Sequence, residues 1–254
     1  MPRPIVKDAA SERTDYSQFV VHLTRKNNTD LEKPISAREN LLSILNSKTI
    51  RAIRPHCMFT KRLGKPGKPA WERCRVACFT ETPLTQIHLL AKKIEGRAIE
   101  LEPYGIVFRK EDLFNAGGQP AIYINSYGPN KATRELTDEL FKIANTDHTS
   151  KVWGIIPLLN AMNERYDFSW EREWRTNTDF EFLTSQIVCI VLPPAGDERF
   201  EQHCAEKGIA WISPGWTYEH IVSRLASQQR KTKSIAAEPT QAIAKKSVAR
   251  KSVA

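Results

Sequence analysis

The sequence predicts an α+β fold. Strand-like runs rich in β-branched and aromatic residues are interleaved with amphipathic helical stretches in no regular βαβ rhythm, which argues against a doubly wound sheet. Neither G-x-G-x-x-G nor G-x-x-x-x-G-K-[ST] follows a strand, so the common nucleotide fingerprints are missing. With 254 residues and 41% hydrophobic content, the chain can build one full core without disulfides or structural metal.

In order along the chain, residues 1–16 read as a loose arm, and "SQFVVHLTR" follows as a buried, central strand. In "SARENLLSILNSK", Ser36 is an N-cap with Glu39 three positions on as a capping box, and Leu41, Leu42, Ile44 and Leu45 form the helical stripe. "TIRAIRP" reads as a short strand. Residues 55–73 form a Gly/Pro-broken basic loop carrying Lys61, Arg62, Lys65, Lys68 and Arg73, of a length associated with function or mobility. A strand at "RVACFTE", a helix at "PLTQIHLLAKKI" and a strand at "YGIVFRK" come next. They are followed by a helical turn at "EDLFNAGG", a strand at "PAIYINS" and a helix from Asn130 to Ala144. "SQIVCIVLP", "RFEQHCAEKG", "IAWISP" and "TYEHIVSRLA" then alternate strand, helix, strand, helix.

The net charge of +9 is concentrated at the end. Residues 227–254 hold seven Lys/Arg against one acid and no aromatic residue, leaving +3 in the first 226. Such a segment buries too little apolar surface to fold alone and reads as a disordered basic tail. It is either an electrostatic arm for RNA or DNA phosphates or a solubilising end. The chain has no apolar run of about 20 residues and no leader-like start, and Cys57, Cys74, Cys78, Cys189 and Cys204 are odd in number and scattered. The expectation is a cytoplasmic protein with reduced thiols and no membrane contact.

The densest chemistry is "DFSWEREWR", residues 167–175. Read as a strand, it puts Phe168, Trp170, Arg172 and Trp174 on one face and Ser169, Glu171, Glu173 and Arg175 on the other. Carboxylates at i, i+2 on one face lie about 7 Å apart, near enough to shift each other's ionisation and reach one small substrate. The same pattern also fits a structural strand with a solvated charged face. His22 and Thr24 point the same way from the first strand. "CFTETPL" places Phe79, Thr80 and Glu81 at a strand end before a helix start, where donors converge on ligands or merely cap.

Taken in order, "VVHLTR", "NLLSIL", "CFTETPL", "PYGIVFRKEDLFNAGGQPAIY" and "DFSWEREWR" resemble the bacterial abortive-infection family AbiGi. More distantly, they resemble the DarT-like ADP-ribosyltransferases, with the resemblance covering about residues 18–195. It implies split, twisted β-sheets with surrounding helices over residues 17–226, and NAD-dependent ADP-ribosyl transfer in a toxin or anti-phage system. Glu171-Arg172-Glu173 matches the E-x-E pattern of such enzymes. It implies Glu173 as the carboxylate stabilising the ribosyl cation and Glu171 as the residue orienting or deprotonating the acceptor. His22, Thr24, Phe79, Thr80, Glu81 and Tyr104 would contact NAD, the last by stacking on nicotinamide, with Tyr123 the other tyrosine open to that role. The expected acceptor is RNA or single-stranded DNA, met by Lys61, Arg62, Lys65 and Lys68, with a cognate toxin or antitoxin as a further partner.

Three other readings stand beside it. One is a non-catalytic antitoxin or nucleic-acid-binding partner. Another is a Mg²⁺ nuclease using Glu81, Glu171 and Glu173, and the third is a zinc site at His56, Cys57, Cys74 and Cys78, whose spacing departs from structural zinc motifs.

Overall fold

A computed structural model of the chain describes residues 15–26, 35–95, 97, 99–125, 131–162 and 167–228. Most of the expected N-terminal arm and nearly all of the basic tail lie outside the described residues. The fold is mixed α+β, built on a twisted sheet with antiparallel and parallel neighbours.

The first strand, β1 (Phe19–Leu23), is central, as its apolar run predicts. Helix α1 (Ala37–Ser47) starts on the anticipated capping box: Ser36 Oγ accepts from the Glu39 N–H at 3.2 Å, and the Ser36 N–H donates to the Glu39 carboxylate at 2.8 Å. It ends where Lys48 turns left-handed, φ 56°. Two-residue strands β2 (Thr49–Ile50) and β3 (Arg54–Pro55), a short helix α2 (Pro69–Arg73) and strand β4 (Arg75–Thr80) follow. Next come β5 (Gly105–Arg109), α3 (Lys110–Asn115), β6 (Gln119–Pro120), β7 (Ile122–Asn125), α4 (Lys131–Thr146) and β8 (Leu159–Met162). The chain closes with β9 (Glu173–Thr176), β10 (Phe180–Glu181), β11 (Ile187–Val191), α5 (Glu198–Lys207), β12 (Ala210–Ile212) and a helix α6 over 218–228.

The main sheet runs β12-β11-β5-β1-β4-β9-β6, with β3 paired to β4. β1 pairs with β5 along its whole length but meets β4 at one register, Val21 opposite Thr80, so the sheet splays between β1 and β4. One face carries the main core, where Val20, Ile106, Phe79 and Trp174 pack under Leu41, Leu45 and Phe200. The other face bears a second cluster of Val21, Val107 and Ile212 against Ile87, Leu90 and Ile221. A third cluster gathers Cys57, Phe59, Leu63 and Cys74 with Phe141 and Trp153.

Three expectations need correction. Residues 55–73 are not a loose loop: a 3₁₀ turn at Thr60–Arg62 and α2 bury Phe59, Leu63 and Ala70 in the third cluster. "PLTQIHLLAKKI" is a 3₁₀ helix, Leu84–Leu89, rather than an α-helix. Three residues per turn aligns Ile87 with Leu90, the two side chains that meet the sheet. "PAIYINS" is two strands. Pro120 sits in edge strand β6, where its missing N–H costs no ladder bond, and after Ala121 donates to Glu173 O at 2.8 Å the chain leaves to pair parallel with β8.

Candidate functional site

β4 and β9 pair antiparallel with Thr80 opposite Glu173, Phe79 opposite Trp174 and Cys78 opposite Arg175. Cys78, Thr80, Glu173 and Arg175 therefore share one face, while Phe79 and Trp174 enter the main core on the other.

The expected alternation across 167–175 holds only from Glu173 onward. Ser169–Glu171 is a 3₁₀ turn, and Arg172 takes a left-handed φ of 48° before β9 begins. Glu171 and Glu173 consequently do not line one strand face, and Trp170 is exposed instead of packing beside Trp174. The turn is clamped from β4: Thr80 Oγ1 donates to Glu171 O, and the Glu81 N–H donates to Arg172 O at 3.1 Å.

Glu173 and Arg175 are both buried and joined at 2.6 Å. Arg175 Nη1 donates to Pro157 O at 2.8 Å, and its Nε has no partner among the described residues. Glu171 pairs with Arg97 at 3.1 Å, and Arg97 is anchored on Leu90 O at 3.1 Å. One carboxylate is thus tied to the second core cluster and the other, through Arg175, to the edge of the third, leaving a polar seam between them. The exposed His56 stands at the rim of this seam, the Cys78 thiol lies against Glu173, and the Tyr123 phenol lies beside Asn160. Arg25, Arg54 and Arg97 add positive charge around Cys78 and His56.

This environment drives the two carboxyls apart. Burial opposes ionisation of Glu173, but Arg175, aided by His56 and Cys78, outweighs it and holds the group below the usual carboxylate value. For Glu171, burial prevails over Arg97, and the neighbouring Glu173 pushes the carboxyl further up. Burial lowers His22 and raises the Tyr123 phenol and the Cys78 thiol, while at the exposed His56 desolvation, with Arg175, Arg25 and Arg97, outweighs the upward pull of Glu173.

The other sequence-predicted residues fall in several places. The His22 ring contacts Phe79 on the main-core side, and its Nδ1 lies 2.8 Å from Cys78 O across the β1/β4 splay, one peptide from the thiol that touches Glu173. Thr24 Oγ1 donates to Ala37 O and Tyr104 O, a buried structural role. Phe79 is core. Glu81 turns to the main-core side, accepting from Trp174 Nε1 at 2.9 Å and pairing with Lys110 at 3.3 Å, away from Glu173. Tyr104 donates to Asp197 at 3.3 Å and packs on Phe200, whereas Tyr123 is the tyrosine that faces both glutamates. Lys61, Lys65 and Lys68 are exposed, while Arg62 pairs with Asp138 and stacks over Phe59 and Phe141.

The three carboxylates of the nuclease reading do not converge, because Glu81 lies across the sheet. Among the described residues no group of three or more His, Cys, Asp or Glu side chains is placed to hold a metal ion. Of the zinc-type set, Cys57 and Cys74 lie against each other in the third cluster, and Cys78 faces Glu173. No described helix is long and apolar enough to cross a membrane.

The chain matches no family model, curated protein or solved structure. The sequence offered no signal for Arg97, marked His56 only as a zinc candidate and left Tyr123 as the alternative to Tyr104; all three reach Glu171 and Glu173 only through tertiary packing. Arg175 was visible in "EREWR" as the neutralising partner of an acidic face.

Proposed function

We propose that the protein is an NAD-dependent ADP-ribosyltransferase of an abortive-infection type, with Glu173 as its catalytic carboxylate. The observation that carries this reading is the splitting of two adjacent carboxyls, Glu173 held ionised by Arg175 and Glu171 raised by burial. Titratable neighbours pushed apart in this way divide electrostatic and proton-transfer roles between them.

In this reaction the bond from ribose C1′ to nicotinamide breaks, nicotinamide departs with the electron pair, and positive charge builds on the ribose. An ionised Glu173 stabilises that charge. The acceptor's oxygen or nitrogen then bonds to C1′, and Glu171 takes its proton. Arg25, Arg54 and Arg97 supply the positive surroundings a diphosphate requires, and Tyr123 takes the nicotinamide-side role first considered for Tyr104. Nucleic acid is the acceptor class that the basic composition of the chain supports.

A second reading, a nucleic-acid-binding partner without turnover, draws on the same ion pair, since a carboxylate already held by a guanidinium also serves as a purely structural element. Incubation with labelled NAD and cellular RNA, DNA or protein separates the two. The transferase reading expects label transfer or nicotinamide release, reduced at least about a hundredfold in Glu173→Gln. Absence of both in the wild type refutes it.

A further inference from the structure

Of the five cysteines, Cys57 and Cys74 lie against each other. The pairing of β3 with β4, Pro55 opposite Arg75, brings their segments together: Cys57 stands two residues past Pro55, and Cys74 is the residue before Arg75. Both sit in the third cluster among Phe59, Leu63, Phe141 and Trp153. Cys78 faces Glu173, Cys189 sits in the second cluster and Cys204 in the main core, so no other two cysteines share a cluster. Cys57 keeps 7% of its surface exposed and Cys74 none, so a small reagent meets Cys57 first.

The two sulfurs are unequal. The Cys74 thiol donates to the Cys57 sulfur and holds the Cys57 thiol below its ordinary value; burial opposes this, while the Phe59 N–H, Thr60 Oγ1 at 4.0 Å and Arg175 add to it. Giving that hydrogen bond, together with burial, raises Cys74, which stays a thiol. One sulfur is thus disposed to attack as a thiolate while its neighbour keeps the proton, an arrangement that suits oxidation of the pair to a disulfide. Burial raises the other three thiols, Cys78, Cys189 and Cys204. Among the described residues no third His, Cys, Asp or Glu joins the pair to hold a metal ion.

We propose that Cys57 and Cys74 form a redox-responsive dithiol that a hydroperoxide converts to an intramolecular disulfide. The Cys57 sulfur attacks one peroxide oxygen and the O–O bond breaks. The departing oxygen leaves with the electron pair and takes up the proton that Cys57 released, as water when the oxidant is hydrogen peroxide. Cys57 is then a sulfenic acid. The Cys74 sulfur attacks the Cys57 sulfur, the S–S bond forms as the S–O bond breaks, and hydroxide leaves with the Cys74 proton as a second water. The two sulfurs together lose two electrons, and the peroxide gains them. The new bond closes a loop around Lys61, Arg62, Lys65 and Lys68 and ties it to the start of β4, the strand that carries Cys78 and Thr80. None of these steps uses NAD, so failure of this proposal leaves the transferase reading untouched.

The test uses the reduced full chain, freed of reductant, treated with hydrogen peroxide, then alkylated and mapped by peptide mass spectrometry. The wild type loses the mass of two hydrogens, yields a cross-linked peptide joining Cys57 to Cys74, and regains both hydrogens with dithiothreitol. Cys74→Ser leaves Cys57 as a sulfenic acid that dimedone labels, because no second thiol is there to displace the oxygen. Should that variant fail to fold, the wild-type map alone decides. The proposal is overturned if the folded wild type forms no Cys57–Cys74 bond, or if that bond appears only in urea. It is equally overturned if Cys57 links as readily to Cys78, Cys189 or Cys204, or if dimedone leaves Cys57 unlabelled in folded Cys74→Ser.

Discussion

Replacing Arg175 by Met removes the charge that compensates a buried carboxylate while keeping most of the side-chain volume. Arg175 is fully buried, its 2.6 Å contact is the direct ion pair to Glu173, and its second guanidinium nitrogen satisfies Pro157 O. Breaking a buried pair from one side costs about 3–5 kcal/mol near neutral pH, because the remaining charge stays desolvated. For a domain of this size that lowers Tm by about 6–20 °C. The pH dependence has a definite sign. Glu173 is depressed in the folded wild type, so its pair contributes stability above the unfolded carboxyl value of about 4.3, lost as pH falls through the folded value. In the variant, burial prevails over the smaller help of His56 and Cys78 and raises the carboxyl, so the penalty grows as pH rises above about 4.3 and fades on acidification. Thermal unfolding followed by circular dichroism at about pH 7.5 and 5 reads both effects, and Arg175→Met combined with Glu173→Met recovers most of the loss at neutral pH. A Tm within about 2 °C of wild type for Arg175→Met, or a double variant no more stable than the single, refutes the account.

Arg97→Met removes the charge opposing the upward shift of Glu171, so the acidic limb of the pH–activity profile moves to higher pH; an unmoved limb separates Glu171 from turnover. Lys48→Gly relieves a left-handed backbone at the end of α1 and raises stability by about 0.5–1 kcal/mol in urea unfolding, and a decrease contradicts it. Gly105→Ala places a Cβ 2.6 Å from His22 O and 2.9 Å from Leu23 Cδ2 on the β1–β5 seam. It costs about 1–3 kcal/mol by the same measurement, and a neutral result shows that the strands separate without strain.

Much of the fold was legible because its determinants are local. Ser36 and Glu39 close a capping box within one turn, β1 and β5 are apolar runs buried on both faces, and the final strand–helix alternation follows hydrophobic period alone. Failures occurred where distant partners set the local geometry. Phe59 and Leu63 fold a Gly/Pro-broken stretch because Phe141 and Trp153 complete their cluster. The left-handed Arg172 follows no glycine signal; it is held where Thr80 and Glu81 grip the turn from β4 and its side chain reaches Asp15.

The candidate site divides the same way. By itself the sequence placed Glu173 and Arg175 on one strand face, because a pleat of period two needs no partner to define its sides. It also marked residues 78–81 as a strand end close to chemistry. Only the tertiary structure decided that Glu81 and Tyr104 turn away, that His56, Arg97 and Tyr123 join, and that Glu171 and Glu173 differ in charge tendency. Those outcomes depend on burial and on Coulomb interactions between segments far apart in the chain, and these exist only once the β4–β9 pair, the Leu90 segment and the Pro157 turn are packed together.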